Sequence, residues 1–175
     1  IFVCDTPDGE FVPLSDKPIT PENWECLDGT LWVEDGVPYM IFCHEWLQVK
    51  NGEIWAVELS VDLKTPVGEP FMLFKATDNP GVSDNNNSGN FVTDGPFFYS
   101  EDGKVKMIWS SFYKGRYLVL GAESDSIKGK WTHSGSKFNF DGGHAMLFCT
   151  LDGNRMISLH APNKKGQERA VFYEF

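Results

Sequence analysis

The chain has 175 residues, of which 41% are hydrophobic and 14% aromatic, and it carries a formal net charge of -10. Length and apolar content of this kind allow one globular domain with a packed core and exclude a disordered chain. The negative charge, with no Lys/Arg-rich run, makes nucleic acid an unsuitable partner, and no apolar run approaches the 18 residues of a membrane-spanning helix, so we expect no membrane partner.

Residues 1–20 are typical of the closing half of a β-sheet unit. The run from Phe2 to Val12 places two short apolar segments around an Asp-Gly turn at position 8, and Asp-Gly favours the turns that join antiparallel strands. No opening half precedes this run. The sequence therefore predicts that the first unit is cut.

Residues 27–75 are predicted to form a complete unit of four strands. It opens with Asp28-Gly-Thr-Leu-Trp-Val-Glu, turns at Asp35-Gly and returns through Met40-Ile41. Third and fourth strands are predicted at 55–60 and 68–74. The polar segment 76–90 follows, and its composition fits either a loop on a binding rim or disorder.

The opening hairpin recurs twice more, 66 and 50 residues further on, as judged from positions 28, 94 and 144. Residues 93–138 form the third predicted unit, which opens at Asp94-Gly and turns at Asp102-Gly. Residues 143–175 form the fourth, which opens at His144-Ala, and its third strand at 168–175 has no fourth strand behind it.

Repeated hairpins of this kind predict an all-β fold, a β-propeller with an incomplete set of blades. Because the inner strand of every blade starts near a common axis, Asp28, Asp94 and His144 are expected to converge. An open propeller exposes apolar blade faces, so we expect the missing blades to come from elsewhere in a longer protein. The four cysteines lack metal-ligand spacing, and no disulfide is expected among them.

A pair of carboxylates facing an aromatic-rimmed pocket is the equipment of glycoside hydrolysis. Asp28 and Asp94 are the candidate catalytic pair, although an Asp before Gly is also a common turn residue. Glu45 is a further catalytic candidate, and it is equally compatible with a rim position without a role. Candidate substrate-binding side chains, each of which could instead serve packing, are Trp32, Trp46, Phe97, His44 and His144.

The chain resembles glycoside hydrolase family 43 over nearly its whole length. The motifs that carry the resemblance are Leu27-Asp28-Gly-Thr-Leu-Trp, Val92-Thr93-Asp94-Gly-Pro-Phe97, Met107-Ile-Trp-Ser110, Gly142-Gly-His144-Ala-Met146 and Leu159-His-Ala-Pro-Asn163. The resemblance implies a five-bladed propeller that cleaves arabinose- or xylose-containing glycans with inversion, and a secreted or periplasmic location. It also implies that Asp28 tunes the pKa of the acid, and that His144 lies near a central ion, often calcium.

Asp94 stands where the family has a glutamate as the general acid. Aspartate is shorter by one methylene, and a misplacement of about 1 Å can cost on the order of 100-fold in rate. The difference fits three cases, namely a subfamily with adjusted geometry, use of Glu45 instead, or a binding protein that has lost catalysis. The general base is expected outside this chain, which in isolation is expected to be inactive. A non-catalytic carbohydrate-binding propeller and a protein-interaction scaffold are the alternatives to an enzyme.

Overall fold

A computed structural model describes residues 1–136 and 141–175 of the chain, and strands dominate it. The predicted residues 137 and 138 lie outside the described part. In chain order the elements are β1 Phe2–Val3, β2 Val12–Pro13, β3 Cys26–Glu34, β4 Val37–His44, α1 Trp46–Val49, β5 Glu53–Leu59, β6 Pro66–Lys75, a 3₁₀ turn Ala76–Asp78, β7 Asp94–Glu101, β8 Lys104–Tyr113, β9 Arg116–Ser124, β10 Thr132–Ser136, β11 Gly143–Cys149, β12 Arg155–Ala161 and β13 Arg169–Glu174. The predicted all-β class is confirmed.

The strands form antiparallel sheets in sequence order, as propeller blades require. Strands β3 to β6 make one four-stranded sheet and β7 to β10 another, while β11 to β13 make a three-stranded sheet and β1 pairs with β2. The inner strand β7 contacts both β3 and β11, so the three inner strands lie side by side around one axis. In the unit 93–138 the run Gly129-Lys-Trp-Thr132 is typical of a fourth strand, but the fourth strand of this sheet begins only at Thr132.

The second strand of each four-stranded sheet is buried on both faces. Side chains alternate along a strand, and in β4 this alternation sends Ile41 toward β7–β10 and Phe42 toward the N-terminal segment. In β8, Trp109 joins the core shared with the β3–β6 sheet, whereas Ile108 packs toward β11–β13. Each such fully buried side chain contributes about 1.5–3 kcal/mol to the free energy of unfolding. The blades are therefore held together face to face.

Polar contacts join the blades as well. Both carboxylate oxygens of Glu34, at the outer end of β3, accept a hydrogen bond from the backbone N–H of Ile127 at 2.9 and 3.2 Å. Within the segment 76–90, the N–H of Ser83 donates a hydrogen bond to the carbonyl of Phe112, and Val82 forms an isolated antiparallel β-bridge with Tyr113. That segment is thus fastened to the end of β8. All four cysteines are free thiols, and among the described residues no helix has the length and apolar character needed to cross a bilayer.

Candidate active site

Each inner strand begins with a bulge, where two residues stand opposite one residue of the next strand. The ladder shifts between Leu27 and Thr30, between Asp94 and Phe97, and between Gly143 and Met146. The first bulged residue has a positive φ in every case, at 57° for Asp28, 51° for Gly95 and 53° for His144. Bulges redirect side chains at the ends of strands, and here they turn all three positions toward the common axis.

The strand register corrects one expectation from the sequence. Gly95, and not Asp94, is the structural equivalent of Asp28 and His144, while Asp94 corresponds to Leu27 and Gly143. For the first two copies the distance to the next turn carries this signal, because Asp28 precedes Asp35 by seven residues and Gly95 precedes Asp102 by the same number. In the third copy His144 precedes Asp152 by eight residues, so there the spacing does not mark the register. Alignment of Asp28-Gly with Asp94-Gly, the pairs that open the two hairpins, shifts the second copy by one residue.

The three bulges contact one another around the axis. The backbone N–H of Gly95 donates to Asp28 Oδ2 at 2.9 Å, and His144 Nε2 lies 3.5 Å from Asp28 Oδ1. His144 lies against Gly95, where a β-carbon would stand 3.0–3.1 Å from two imidazole atoms and the Cα of His144. Gly95 is therefore needed both for its backbone conformation and for the space that His144 occupies.

We expect Gly95→Ala to destabilise the protein more than Gly103→Ala. Both glycines have positive φ, but a β-carbon at Gly103 meets nothing within 4 Å. Gly103→Ala should therefore cost only the backbone strain of about 1 kcal/mol, and Gly95→Ala about 1–2 kcal/mol more, because His144 must also move. Urea denaturation of the two variants measures the difference, and equal losses would show that the His144 contact contributes nothing.

Asp94 is partly buried beside the bulges. Its Oδ2 accepts a hydrogen bond of 2.7 Å from the hydroxyl of Tyr117 in β9. Burial raises the pKa of Asp94 from 3.8 to about 6, the Tyr117 hydrogen bond opposes this rise, and the charge of Asp28 adds to it. A carboxyl with such a pKa can be protonated at mildly acidic pH and ionised at neutral pH, as a general acid requires.

Glu45 is the third carboxylate of this region. It precedes α1, and its Oε1 accepts a hydrogen bond of 3.2 Å from the N–H of Leu47. Burial raises the pKa of Glu45, and the charge of Asp28 raises it further. The charge of Asp28 therefore disfavours the ionisation of both Asp94 and Glu45 at this end of the propeller axis.

A cavity of about 440 Å³ opens on this end of the axis. Its wall contains Asp28, the segment 95–97 with Phe97, His144 with Ala145 and Met146, and parts of β12 and β13 that include His160. Asp94 does not line the cavity, whereas its neighbour in the chain, Gly95, does. Of the predicted site residues, the structure therefore places Asp28, Phe97 and His144 in the cavity wall and Asp94 beside it.

The other predicted substrate-binding residues lie outside the cavity wall. Trp32 packs between the two four-stranded sheets, 5.7 Å from the ring of Phe98. The ring of His44 stacks on Trp24 at 4.2 Å, its Nε2 lies 2.6 Å from Gln48 Oε1, and its side chain is 9% exposed. Trp46 is the first residue of α1. For Trp32 and His44, packing partners occupy the surfaces that a sugar would need.

The described residues do not fit the calcium site that the family resemblance implies. Within residues 1–136 and 141–175, no group of three or more His, Cys, Asp or Glu side chains is arranged to hold a metal ion. Calcium prefers six to eight oxygen ligands, whereas His144 offers a nitrogen that already faces Asp28. No step is therefore assigned to a metal, and a central ion near His144 stays a prediction.

Sequence reasoning missed Tyr117 and Ser110, which complete the site. Tyr117 contacts Asp94 from β9, and the hydroxyl of Ser110, in β8, accepts a hydrogen bond of 2.8 Å from the N–H of His144. The nearest signal in the sequence is Gly143, since a β-carbon there would come within 2.4 Å of the Tyr117 ring. A glycine at that position makes room for this tyrosine.

Several solved structures share this fold. An endo-arabinase from Bacteroides thetaiotaomicron VPI-5482 is 46% identical, with a TM-score of 0.91 over 99% of this chain and 64% of that chain. An endo-1,4-beta-xylanase from the same organism is 24% identical, with a TM-score of 0.78 over 97% and 60% of the two chains. An exo-1,5-alpha-L-arabinanase from a bovine ruminal metagenomic library is 19% identical, with a TM-score of 0.64 over 97% and 61%. The latter two support the fold alone.

The chain spans less than two thirds of the length of these three structures. A comparison with curated proteins found no match. The family model of the glycosyl hydrolases family 43 matches residues 1–173, which is nearly the whole chain. Together with the propeller sheets and the carboxylates at their axis, this match shows that the chain belongs to glycosyl hydrolases family 43.

Proposed function

We propose that the protein containing this chain is a glycosidase that cleaves arabinose- or xylose-containing glycans with inversion of configuration. The observation that carries the proposal is the raised pKa of Asp94, about 6, in a partly buried position close to the charge of Asp28. The 46% identity with an endo-arabinase favours arabinose-containing glycans within this class. Membership of the family supports glycoside hydrolysis as the reaction.

In the proposed mechanism, Asp94 protonates the departing glycosidic oxygen. Burial and the neighbouring carboxylate of Asp28 keep the proton on Asp94 to a higher pH than an ordinary aspartate could hold it. Inversion also requires a base that activates water from the opposite face, roughly 6.5–9.5 Å from the acid. We propose that this base lies in a part of the whole protein that the present chain does not span.

The cavity wall suggests how the sugar is held. Phe97 offers an apolar face to a sugar ring, and the half-exposed imidazole of His144 can bond a hydroxyl while Asp28 fixes its orientation. The substrate class consists of polymers that do not cross membranes, which supports a secreted or periplasmic location.

Hydrolysis assays on the whole protein test the proposed function. We expect reducing sugar to be released from arabinan or arabinoxylan, with proton NMR showing the inverted anomer as the first product. Cellulose and starch serve as control glycans. Absence of turnover on every pentose-containing glycan, or a first product with retained configuration, would contradict the proposal.

A second function, glycan binding without hydrolysis, is favoured by one observation. Asp94 is shorter than the glutamate that the family has at this position and does not line the cavity, which increases the distance between its carboxyl and a substrate. Titration calorimetry with arabino- and xylo-oligosaccharides, run beside the product assay, separates the two functions. Binding without any product indicates the non-catalytic propeller.

A further inference from the structure

Tyr117 contacts the proposed acid directly. Its hydroxyl donates a hydrogen bond of 2.7 Å to Asp94 Oδ2, and the residue is 6% exposed. Because Oδ2 is occupied by this donor, a proton bound to Asp94 is favoured on Oδ1. Tyr117 therefore decides which of the two oxygens is left to donate.

The ring of Tyr117 is fixed by neighbours from two blades. It stacks on His160 of β12 with centroids 5.7 Å apart and an interplanar angle of 20°, and the edge of Phe112 meets it at 5.5 Å. Gly143 stands so close that a β-carbon there would come within 2.4 Å of Tyr117 Cε1. The N–H of Gly142 donates to the carbonyl of Tyr117 at 3.1 Å. These contacts hold the ring, and with it the hydroxyl oxygen, in place beside Asp94.

Ser110 links this tyrosine to the other side of the site. Its hydroxyl accepts a hydrogen bond from His144 N–H and interacts with the Tyr117 hydroxyl. His144 in turn lies 3.5 Å from Asp28. A continuous chain of contacts therefore runs from Asp28 through His144, Ser110 and Tyr117 to Asp94.

We propose that Tyr117 is the positioning residue of the general acid, holding the short Asp94 side chain by Oδ2 so that Oδ1 presents the proton to the glycosidic oxygen. The inference rests on the proposed function, since it assumes that Asp94 is the acid. An aspartate in place of the longer glutamate has less reach, so its orientation matters more. Because the Tyr117 ring is already held by its neighbours, its hydroxyl can orient Asp94 without a further loss of side-chain entropy when the substrate binds.

Several ionisable groups face Asp94 and set the expected pH dependence. The carboxylates of Asp28 and Glu45 raise its pKa, whereas Tyr117 and His144 lower it. Cys43, beneath the site, has its own pKa raised by burial and by both aspartates. Loss of the Tyr117 hydroxyl therefore raises the pKa of Asp94, and the alkaline limb of kcat/KM is expected to move to higher pH.

The test is Tyr117→Phe in the whole protein, assayed on its pentose-containing glycan. We expect kcat to fall about 10- to 100-fold with KM little changed, because the ring and the cavity wall remain while the proton is misdirected. The alkaline limb should move upward at the same time. Tyr99→Phe is the matched control, since Tyr99 is similarly buried, at 8% exposed, and lies five residues along β7 from Asp94. This control should leave both kcat and the alkaline limb of kcat/KM unchanged.

A second variant keeps the test decisive if Tyr117→Phe does not fold. Ser110→Ala leaves the Tyr117 ring in place. It should lower kcat less than Tyr117→Phe does, and it should move the alkaline limb of kcat/KM in the same direction. An unchanged pH limb or an unchanged kcat in these variants, with Asp94→Asn inactive, overturns the role of Tyr117 and leaves the proposed function standing. Full activity of Asp94→Asn removes Asp94, and with it the role of Tyr117, from the mechanism, whereas absence of turnover by the unaltered protein overturns the proposed function itself.

Discussion

Asp94→Asn is expected to lower the rate of glycan hydrolysis by about 1,000-fold, within the 10²–10⁴ range of general acid catalysis. Asparagine has no proton to give to the departing oxygen, yet its amide oxygen can still accept the hydrogen bond from Tyr117. Initial rates of the whole protein on its pentose-containing glycan measure the effect. A rate within about 10-fold of the unaltered protein would remove Asp94 from the mechanism.

The same substitution should make the protein more stable at pH 7.5. The folded pKa of Asp94, about 6, lies above the ordinary 3.8, so the folded state binds this proton more tightly than the unfolded state. The stability that this bound proton contributes is fully present below pH 3.8 and is lost as the pH rises through 6. Removing the charge should therefore add about 1–3 kcal/mol to the free energy of unfolding at pH 7.5.

Urea denaturation at pH 7.5 and pH 4 checks this gain. At pH 4 the folded protein already holds Asp94 neutral, so the advantage of Asn should largely vanish. An inactive variant that is more stable than the original cannot owe its inactivity to damaged folding. A loss of stability at pH 7.5 would show that the carboxylate is stabilised in the fold, against the raised pKa.

Asp28→Asn is the second large effect that we expect, with kcat about 100-fold lower on the glycan. The charge of Asp28 raises the pKa of Asp94, so its loss should move the alkaline limb of kcat/KM from near pH 6 to lower pH. The amide oxygen of asparagine can still accept from Gly95 N–H, which preserves the bulge. The pH profile of kcat/KM between pH 4 and 8 measures the shift.

The direction of that shift is the informative result. Asp28→Asn should move the limb down and Tyr117→Phe should move it up, because the two groups have opposite effects on the pKa of Asp94. A limb that stays in place in Asp28→Asn while kcat falls would mean that Asp28 acts on the substrate directly. A limb that moves upward would contradict the electrostatic role.

The fold was predictable because its signals are local. Asp-Gly pairs at 35 and 102 define hairpins of similar length, and the near-continuous apolar runs in β4 and β8 indicate strands buried on both faces. The arrangement of blades around an axis follows from the repeat. The shorter strand at Thr132 was not predictable, because Trp131 packs into the core just before it and its apolar character looks like part of the strand.

The candidate site was predictable in part. Asp28 and His144 carry side chains at the bulged position, so the sequence marks them. The equivalent Gly95 has no side chain, and Asp94 beside it was assigned to the wrong register for that reason. The contact of Asp94 with Tyr117 joins residues 23 apart through the sheet, and no local pattern specifies it.

Packing separates the aromatic and imidazole candidates that reach the cavity from those that do not. Trp32 and Phe97 both lie on inner strands, but Trp32 meets Phe98 between two sheets whereas Phe97 reaches the cavity wall. His44 is held by Trp24 and Gln48, which lie on other segments of the chain. Which face of a strand looks into a cavity depends on the neighbouring blade, and the residues of one strand do not encode that.

The leaving-group dependence of Asp94→Asn tests the central claim most directly. On a series of aryl α-L-arabinofuranosides, a leaving group of low pKa departs without a proton, so it needs no general acid. We predict a shallow dependence of rate on leaving-group pKa for the unaltered protein and a steep one for Asp94→Asn, with the two rates converging at the most acidic phenol. Parallel dependences, with the variant equally slow on every substrate, would contradict the assignment of Asp94 as the acid.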